Sequence, residues 1–79
     1  MTRLVEINRP LVYGDIVAYT ILGDLSHTKD RNLYLGPDPT DRHLHQVIEL
    51  CSPTGEWRNR GVESFPILRG DSCWRLVEE

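Results

Sequence analysis

Between two Gly-Asp pairs, at 14–15 and 23–24, lies the segment that most restricts how this chain can fold, "DIVAYTIL" (15–22). Val17, Tyr19 and Ile21 alternate onto one face of an extended strand, and Ile16, Ala18, Thr20 and Leu22 onto the other. Both faces carry apolar groups, so the strand is expected to be central in a sheet or strongly bent. A third Gly-Asp, at 70–71, again borders an apolar segment. The three pairs mark turns, not a repeat.

The other segments are short. "LVEI" (4–7) reads as a first strand ended by "NRP", and "LYL" (33–35) as a third strand between the polar loops 23–32 and 36–42. "HLHQVIELC" (43–51) fits two templates. As a helix it has Asp38 as cap, Pro39 in the first turn, and Leu44, Val47, Ile48 and Cys51 at i, i+3, i+4, i+7, giving one short helix at 39–51. As a strand it has Leu44, Ile48 and Leu50 on one face, interrupted by Gln46. The strand is preferred because "SPTG" follows, with Pro53 suited to the second turn position and Gly55 to its end. A hairpin then joins "QVIEL" to "EWRNRGV". Pro66 keeps "ESFPILRGD" off a central strand, and "CWRLVEE" closes the domain with Trp74 and Leu76 on one face. The expectation is one all-β domain over residues 1–79, a small, strongly curved barrel of five to six short strands.

"YGDIVAY" near the start, the central hairpin, "GVESF" and a closing strand resemble the layout of SH3-like barrel modules. "RGVESF" is similar to the Arg-x-x-Glu-x-Phe ending of some small bacterial SH3-like domains. The likeness covers about 60 residues and implies a fold, one that hosts many unrelated functions.

Composition narrows the function classes. The 79 residues are 39% hydrophobic and 27% charged, which suits one globular domain close to the smallest size that holds a core without staples. The longest apolar run, "DIVAYTILGD", is too short and too polar to span a membrane, and "MTRLVEINRP" lacks the apolar stretch of a secretory signal. A cytoplasmic protein is expected. The net charge of −3, spread evenly over both halves, gives no electrostatic reason to expect nucleic-acid binding. Lys29 is the sole lysine among nine basic residues, the rest being arginine, a residue that suits interfaces. A GC-rich genome would give the same bias.

Candidate chemistry is sparse. On a strand, His43 and His45 point to one face about 7 Å apart, close enough to chelate a metal, with His27 or Asp41 as the third ligand. As an exposed pair beside a polar loop they are weak candidates, and no metal or cofactor is expected. Cys51 and Cys73 match no metal or redox spacing and are expected as reduced, largely buried thiols. Cys51 shares a strand face with His45, but six residues of strand separate them by about 20 Å. No nucleophile elbow or phosphate-cradling glycine loop occurs, so no catalytic role is expected. A shared pore in a homo-oligomer would be the way round this.

Aromatics and arginines carry what signal remains. Tyr19 and Trp74 sit among alternating aliphatics and read as core, whereas Tyr13, Tyr34 and Trp57 fall at turn or rim positions. Strand parity sets Trp57 and Asn59 against Glu56, Arg58 and Arg60, so either the tryptophan or the arginines face outward unless the strand bulges at Gly61. A large aromatic after a hairpin turn in so small a domain is expected to hold the barrel together, which turns Arg58 and Arg60 outward.

The leading expectation is a non-enzymatic, regulatory protein-binding module using loops 23–32 and 36–43 with Arg58 and Arg60 against another protein. Arg42, His43, Tyr34 and Trp57 complete the candidate contacts. In size and style the chain is similar to accessory proteins of bacteriophages and mobile elements, many of which modulate one host protein. The alternatives are single-stranded nucleic-acid or RNA binding through stacked aromatics, and metal binding at His43/His45.

Overall fold

The computed structural model describes residues 2–20, 29–52, 54–57, 61–67 and 74–78. Six strands form one antiparallel sheet, and no helix occurs among the described residues. They are β1 (Arg3–Val5), β2 (Ile16–Tyr19), β3 (Arg31–Pro37), β4 (His45–Cys51), β5 (Val62–Phe65) and β6 (Trp74–Glu78). Their order across the sheet is β1-β6-β2-β3-β4-β5, which makes β2 an interior strand, as its two apolar faces require.

The strand preferred for 43–51 is formed as β4, and the alternative, a short helix at 39–51, is not. β4 instead pairs with β3 on one side and β5 on the other, and the ladder hydrogen bonds outweigh the helical periodicity of Leu44, Val47, Ile48 and Cys51. Asp38 caps no helix. It organises the connection from β3 to β4, described below. The third strand is also longer than "LYL": Arg31 and Asn32, assigned by sequence to a polar loop, already pair with Cys51 and Glu49.

β3 and β4 meet with two register shifts, between Arg31 and Asn32 and between Tyr34 and Gly36. At the second, Gly36 has φ +153°, a conformation that L side chains rarely adopt. A Cβ there would touch nothing, so backbone conformation alone calls for glycine. Bulges of this kind bend a strand and sharpen its twist. β1 and β5 are the two outer edges of the sheet, so closure into a barrel is not shown. Pro66 follows directly on the β5 edge, where its missing N–H costs nothing.

The core lies on one face. Val17, Tyr34, Val47, Trp74 and Leu76 project from the strands, and Ile7 and Ile67 from the connections, with Val5, Leu11 and Phe65 packed around them. Trp74 and Leu76 share the buried face of β6, as their spacing predicts. The ladder joins β2 to β3 only at Ile16–Leu33 and Val17–Asn32. Beyond that, the buried Asp30 carboxylate takes over: it accepts from the Tyr19 N–H at 2.6 Å and from Asn32 Nδ2 at 2.9 Å. Asn32, also buried, donates to the Val17 carbonyl at 3.2 Å. Side chains thus satisfy backbone groups that the parting strands would leave without partners.

Candidate functional site

The β3–β4 ladder has two ends, Pro37–His45 and Arg31–Cys51, separated by about 20 Å of strand. This distance divides the predicted contact residues. Arg42 and His43 lie exposed in the 38–44 connection at the first end. Trp57, bridged to Cys51, lies at the second, together with the described part of the 23–32 loop. The described residues 29–32 of the 23–32 loop therefore stand at the opposite end of the ladder from the 38–44 connection. Arg58, Arg60, Asn59, His27 and Cys73 lie outside the described residues.

At the first end, Asp38 Oδ1 accepts from Thr40 N and Thr40 Oγ1, each at 2.7 Å, and from Asp41 N at 3.2 Å. Its Oδ2 accepts from Ser64 Oγ at 2.5 Å, tying the connection to β5. Asp41 in turn accepts from His43 N at 2.9 Å. These donors, Ser64 foremost, hold the Asp38 carboxyl down at about 2. Tyr34, expected at the rim, is 2% exposed and belongs to the core. Alternation places it on the same face as Asn32, opposite Val47, so it is corrected from a partner contact to a packing residue. Its hydroxyl meets His45 Nδ1 at 2.7 Å, and burial raises the phenol's pKa. His43 and His45 are thus divided between an exposed turn and a core-linked strand. No group of three metal-ligating side chains occurs among the described residues.

The second end is built on Ser52. Its carbonyl accepts from Gly55 N, and its N–H donates to the Glu56 carbonyl, both at 2.9 Å. Its hydroxyl accepts from Glu56 N and meets Thr54 Oγ1, both at 3.0 Å. The Ser52–Gly55 turn that "SPTG" predicts is therefore present, reinforced by a buried serine. Gly55 has φ +90°, and a Cβ there would come within 2.8 Å of Lys29 Cδ. The lysine chain crosses the turn over Gly55, whose left-handed backbone is what calls for glycine there.

This anchored turn holds Trp57 74% exposed. The expectation that Trp57 holds the barrel together is overturned. Its bridge partner Cys51 lies opposite Arg31, just beyond the register shift between Arg31 and Asn32, and the ring stands in solvent. Gly61, with φ +75°, stands between this bridge and β5. Strict alternation therefore does not carry from Trp57 to Val62; the expected opposition of Trp57 to Arg58 and Arg60 falls on residues outside those described. Tyr19 is a further correction. It is 48% exposed, with its ring edge-on to buried Trp74 at 5.3 Å. Tyr13, expected at the rim, is exposed. Cys51 is a free, half-buried thiol.

Sequence reasoning missed the anchoring roles of Asp30, Asn32 and Ser52. Asp38 carried a readable signal, because "DPT" has the spacing of an aspartate turn, but the competing cap reading absorbed it. No family model, curated protein or solved structure matches the chain. No helix among the described residues is long and apolar enough to cross a membrane.

Proposed function

We propose that the chain is a small, non-enzymatic protein-binding module that regulates its partner through the hairpin tip at 52–57. The observation that carries this reading is Trp57, held three-quarters exposed on a turn whose backbone is fixed by Ser52. A large aromatic displayed on an ordered turn gives up contact area at little entropic cost when a partner covers it. Lys29 beside it adds a positive charge and an aliphatic stem. Binding is favoured over catalysis because His45 and Cys51 stand at opposite ends of β4, too far apart for a nucleophile and its base.

The architecture proposed with it is an SH3-like, curled sheet. In support, β6 returns to β2 while β3, β4 and β5 follow as a meander. In a flat sheet β5 and β6 would stand about 19 Å apart, yet the Phe65 and Trp74 ring centroids are 5.9 Å apart. The two β3–β4 register shifts supply bending.

The test is capture from the native host by immobilised full-length chain, with captured proteins identified by mass spectrometry. One protein should be retained by the wild type and lost with Trp57→Ala while the circular dichroism spectrum is unchanged. Equal capture by both forms would refute the hairpin as the site. Binding of mixed-sequence single-stranded DNA or RNA at low salt, falling steeply as salt rises, would replace a protein partner with nucleic acid.

A further inference from the structure

Most of the described cations are already committed within the molecule. Arg3 pairs with Glu78 at 3.3 Å and Arg9 with Asp15 at 2.8 Å. Arg31 donates to the Asp30 carbonyl at 2.6 Å, and Arg75 to the Trp74 carbonyl at 2.9 Å. Among the described lysine and arginine side chains, that leaves Lys29 and Arg42 without a hydrogen-bond or ion-pair partner. Arg42 follows Asp41 in the polar connection at the far end of the ladder. Lys29 lies at the hairpin that carries the exposed indole.

Lys29 is also the only lysine of the chain, and its place is fixed twice. Its neighbour Asp30 is buried and accepts from Tyr19 N and Asn32 Nδ2, which holds the backbone there. Its side chain lies along the turn: a Cβ on Gly55 would stand 3.8 Å from Lys29 Cβ, 2.8 Å from Cδ and 3.8 Å from Nζ. The stem thus packs on the hairpin, and the ammonium is delivered beside Gly55, two residues before Trp57. Glu56, between them in sequence, is exposed and makes no ion pair with Lys29. Among the described residues only its backbone is bonded, to Ser52, so its carboxylate is not held at one place on the turn.

We propose that the partner of the hairpin tip is an acidic peptide segment, with a carboxylate for the Lys29 ammonium beside an apolar side chain that covers Trp57. This inference rests on the hairpin-tip reading and names what that tip selects. An ammonium whose stem is already laid down loses little side-chain freedom on pairing. In water the pair adds little affinity. A basic segment, however, would bring like charges together as the indole is covered, and that penalty exceeds what the pair gains. The charge therefore chooses among apolar segments rather than holding them.

The test is selection of a displayed library of random dodecapeptides on the immobilised full chain, followed by affinity measurements on the synthesised winners. The selected peptides should carry Asp or Glu next to an aromatic or aliphatic residue. Lys29→Glu should weaken them at least about tenfold. Lys29→Arg should hold them within about threefold, since charge and stem remain. With one lysine in the chain, acetylation of the wild type should also weaken them, whereas reductive methylation, which keeps the charge, should not. The terminal amine reacts in both treatments and so cancels. Peptides that need Trp57 but are uncharged or basic, or that bind Lys29→Glu as well as wild type, would overturn the acidic partner and leave the tip as the site. A library that yields no binder, or binders indifferent to Trp57→Ala, would overturn the tip reading and this inference with it.

Discussion

The two ends of the β3–β4 ladder are closed by the same device and present opposite chemistry to water. At one end the Asp38 carboxylate gathers N–H and hydroxyl donors from Thr40, Asp41 and Ser64, and the exposed side chains around it are polar. At the other, the Ser52 hydroxyl accepts from Glu56 N–H, Lys29 crosses the turn, and an indole ring stands in solvent. Each turn is ordered by a side chain from its own first residues, so neither needs a core contact to hold its shape. What differs is what the ordered backbone displays. The Asp38 end spends its polar groups on itself. The Ser52 end keeps its polar groups inside the turn and leaves its largest apolar side chain out.

The comparison breaks most easily at the buried carboxylate behind the Trp57 end. Asp30→Ala removes the acceptor of Tyr19 N–H and of Asn32 Nδ2 where both are shielded from water. A loss of about 2–4 kcal/mol is expected from leaving buried donors unmet. Urea unfolding would show the drop, and hydrogen exchange would place it at the Tyr19 amide. Ser52→Ala comes next, at about 1–2 kcal/mol, since Glu56 N–H loses its side-chain acceptor while the two backbone bonds of the turn persist. If the Ser52 change costs as much as the Asp30 change, the turn is not self-sufficient, and the contrast between the ends loses its basis.

Acid separates the ends by sign. The Asp38 carboxyl titrates at about 2, below its ordinary value, because Ser64 and Thr40 donate to the ionised form. Between that value and the ordinary carboxylate range near pH 4, the unfolded chain binds more protons than the folded one. Its contribution is therefore complete above about pH 4 and is lost as pH falls towards 2. Asp30 runs the other way. Burial, with help from the Glu49 charge, raises its pKa against the pull of the Tyr19 and Asn32 donors. The folded chain then holds the extra proton, and stability falls as pH rises from the ordinary carboxylate value through the raised one. Asp38→Asn should flatten the acid limb below pH ~4, and Asp30→Asn the decline above it. Carboxyl carbon chemical shifts followed against pH read both groups directly.

Much of the scaffold was legible in the chain because alternation and turn chemistry are local. The interior position of β2, the Ser52–Gly55 turn and the buried pair Trp74 and Leu76 all follow from patterns within a few residues. At 43–51 helical periodicity competed with the strand reading, and the turn signal at 52–55 pointed to the strand that two neighbouring strands then fix. The candidate contacts were less legible for a related reason. Whether Tyr34, Tyr19 or Trp57 is covered depends on register and on two shifts in the β3–β4 ladder, not on the residues beside each ring.

The smallest expected effect sharpens the comparison most. Trp57→Ala should change unfolding free energy by no more than about 0.5 kcal/mol, the range of surface substitutions, because the ring is exposed and stands outside the core cluster of the described residues. Trp74 supplies the contrast: it is buried, with Tyr19 edge-on at 5.3 Å and Phe65 at 5.9 Å, so Trp74→Ala should cost about 3–5 kcal/mol. Acrylamide quenching distinguishes the two rings without a denaturant. In the wild type one tryptophan should quench freely and one hardly at all, and Trp57→Ala should leave only the protected component. If that variant instead loses the protected component, or unfolds at markedly lower urea, then Trp57 is part of what holds the sheet together. A stability cost near zero, by contrast, would mean that the ring is not kept at the hairpin tip for the fold, which leaves contact with another molecule as its use.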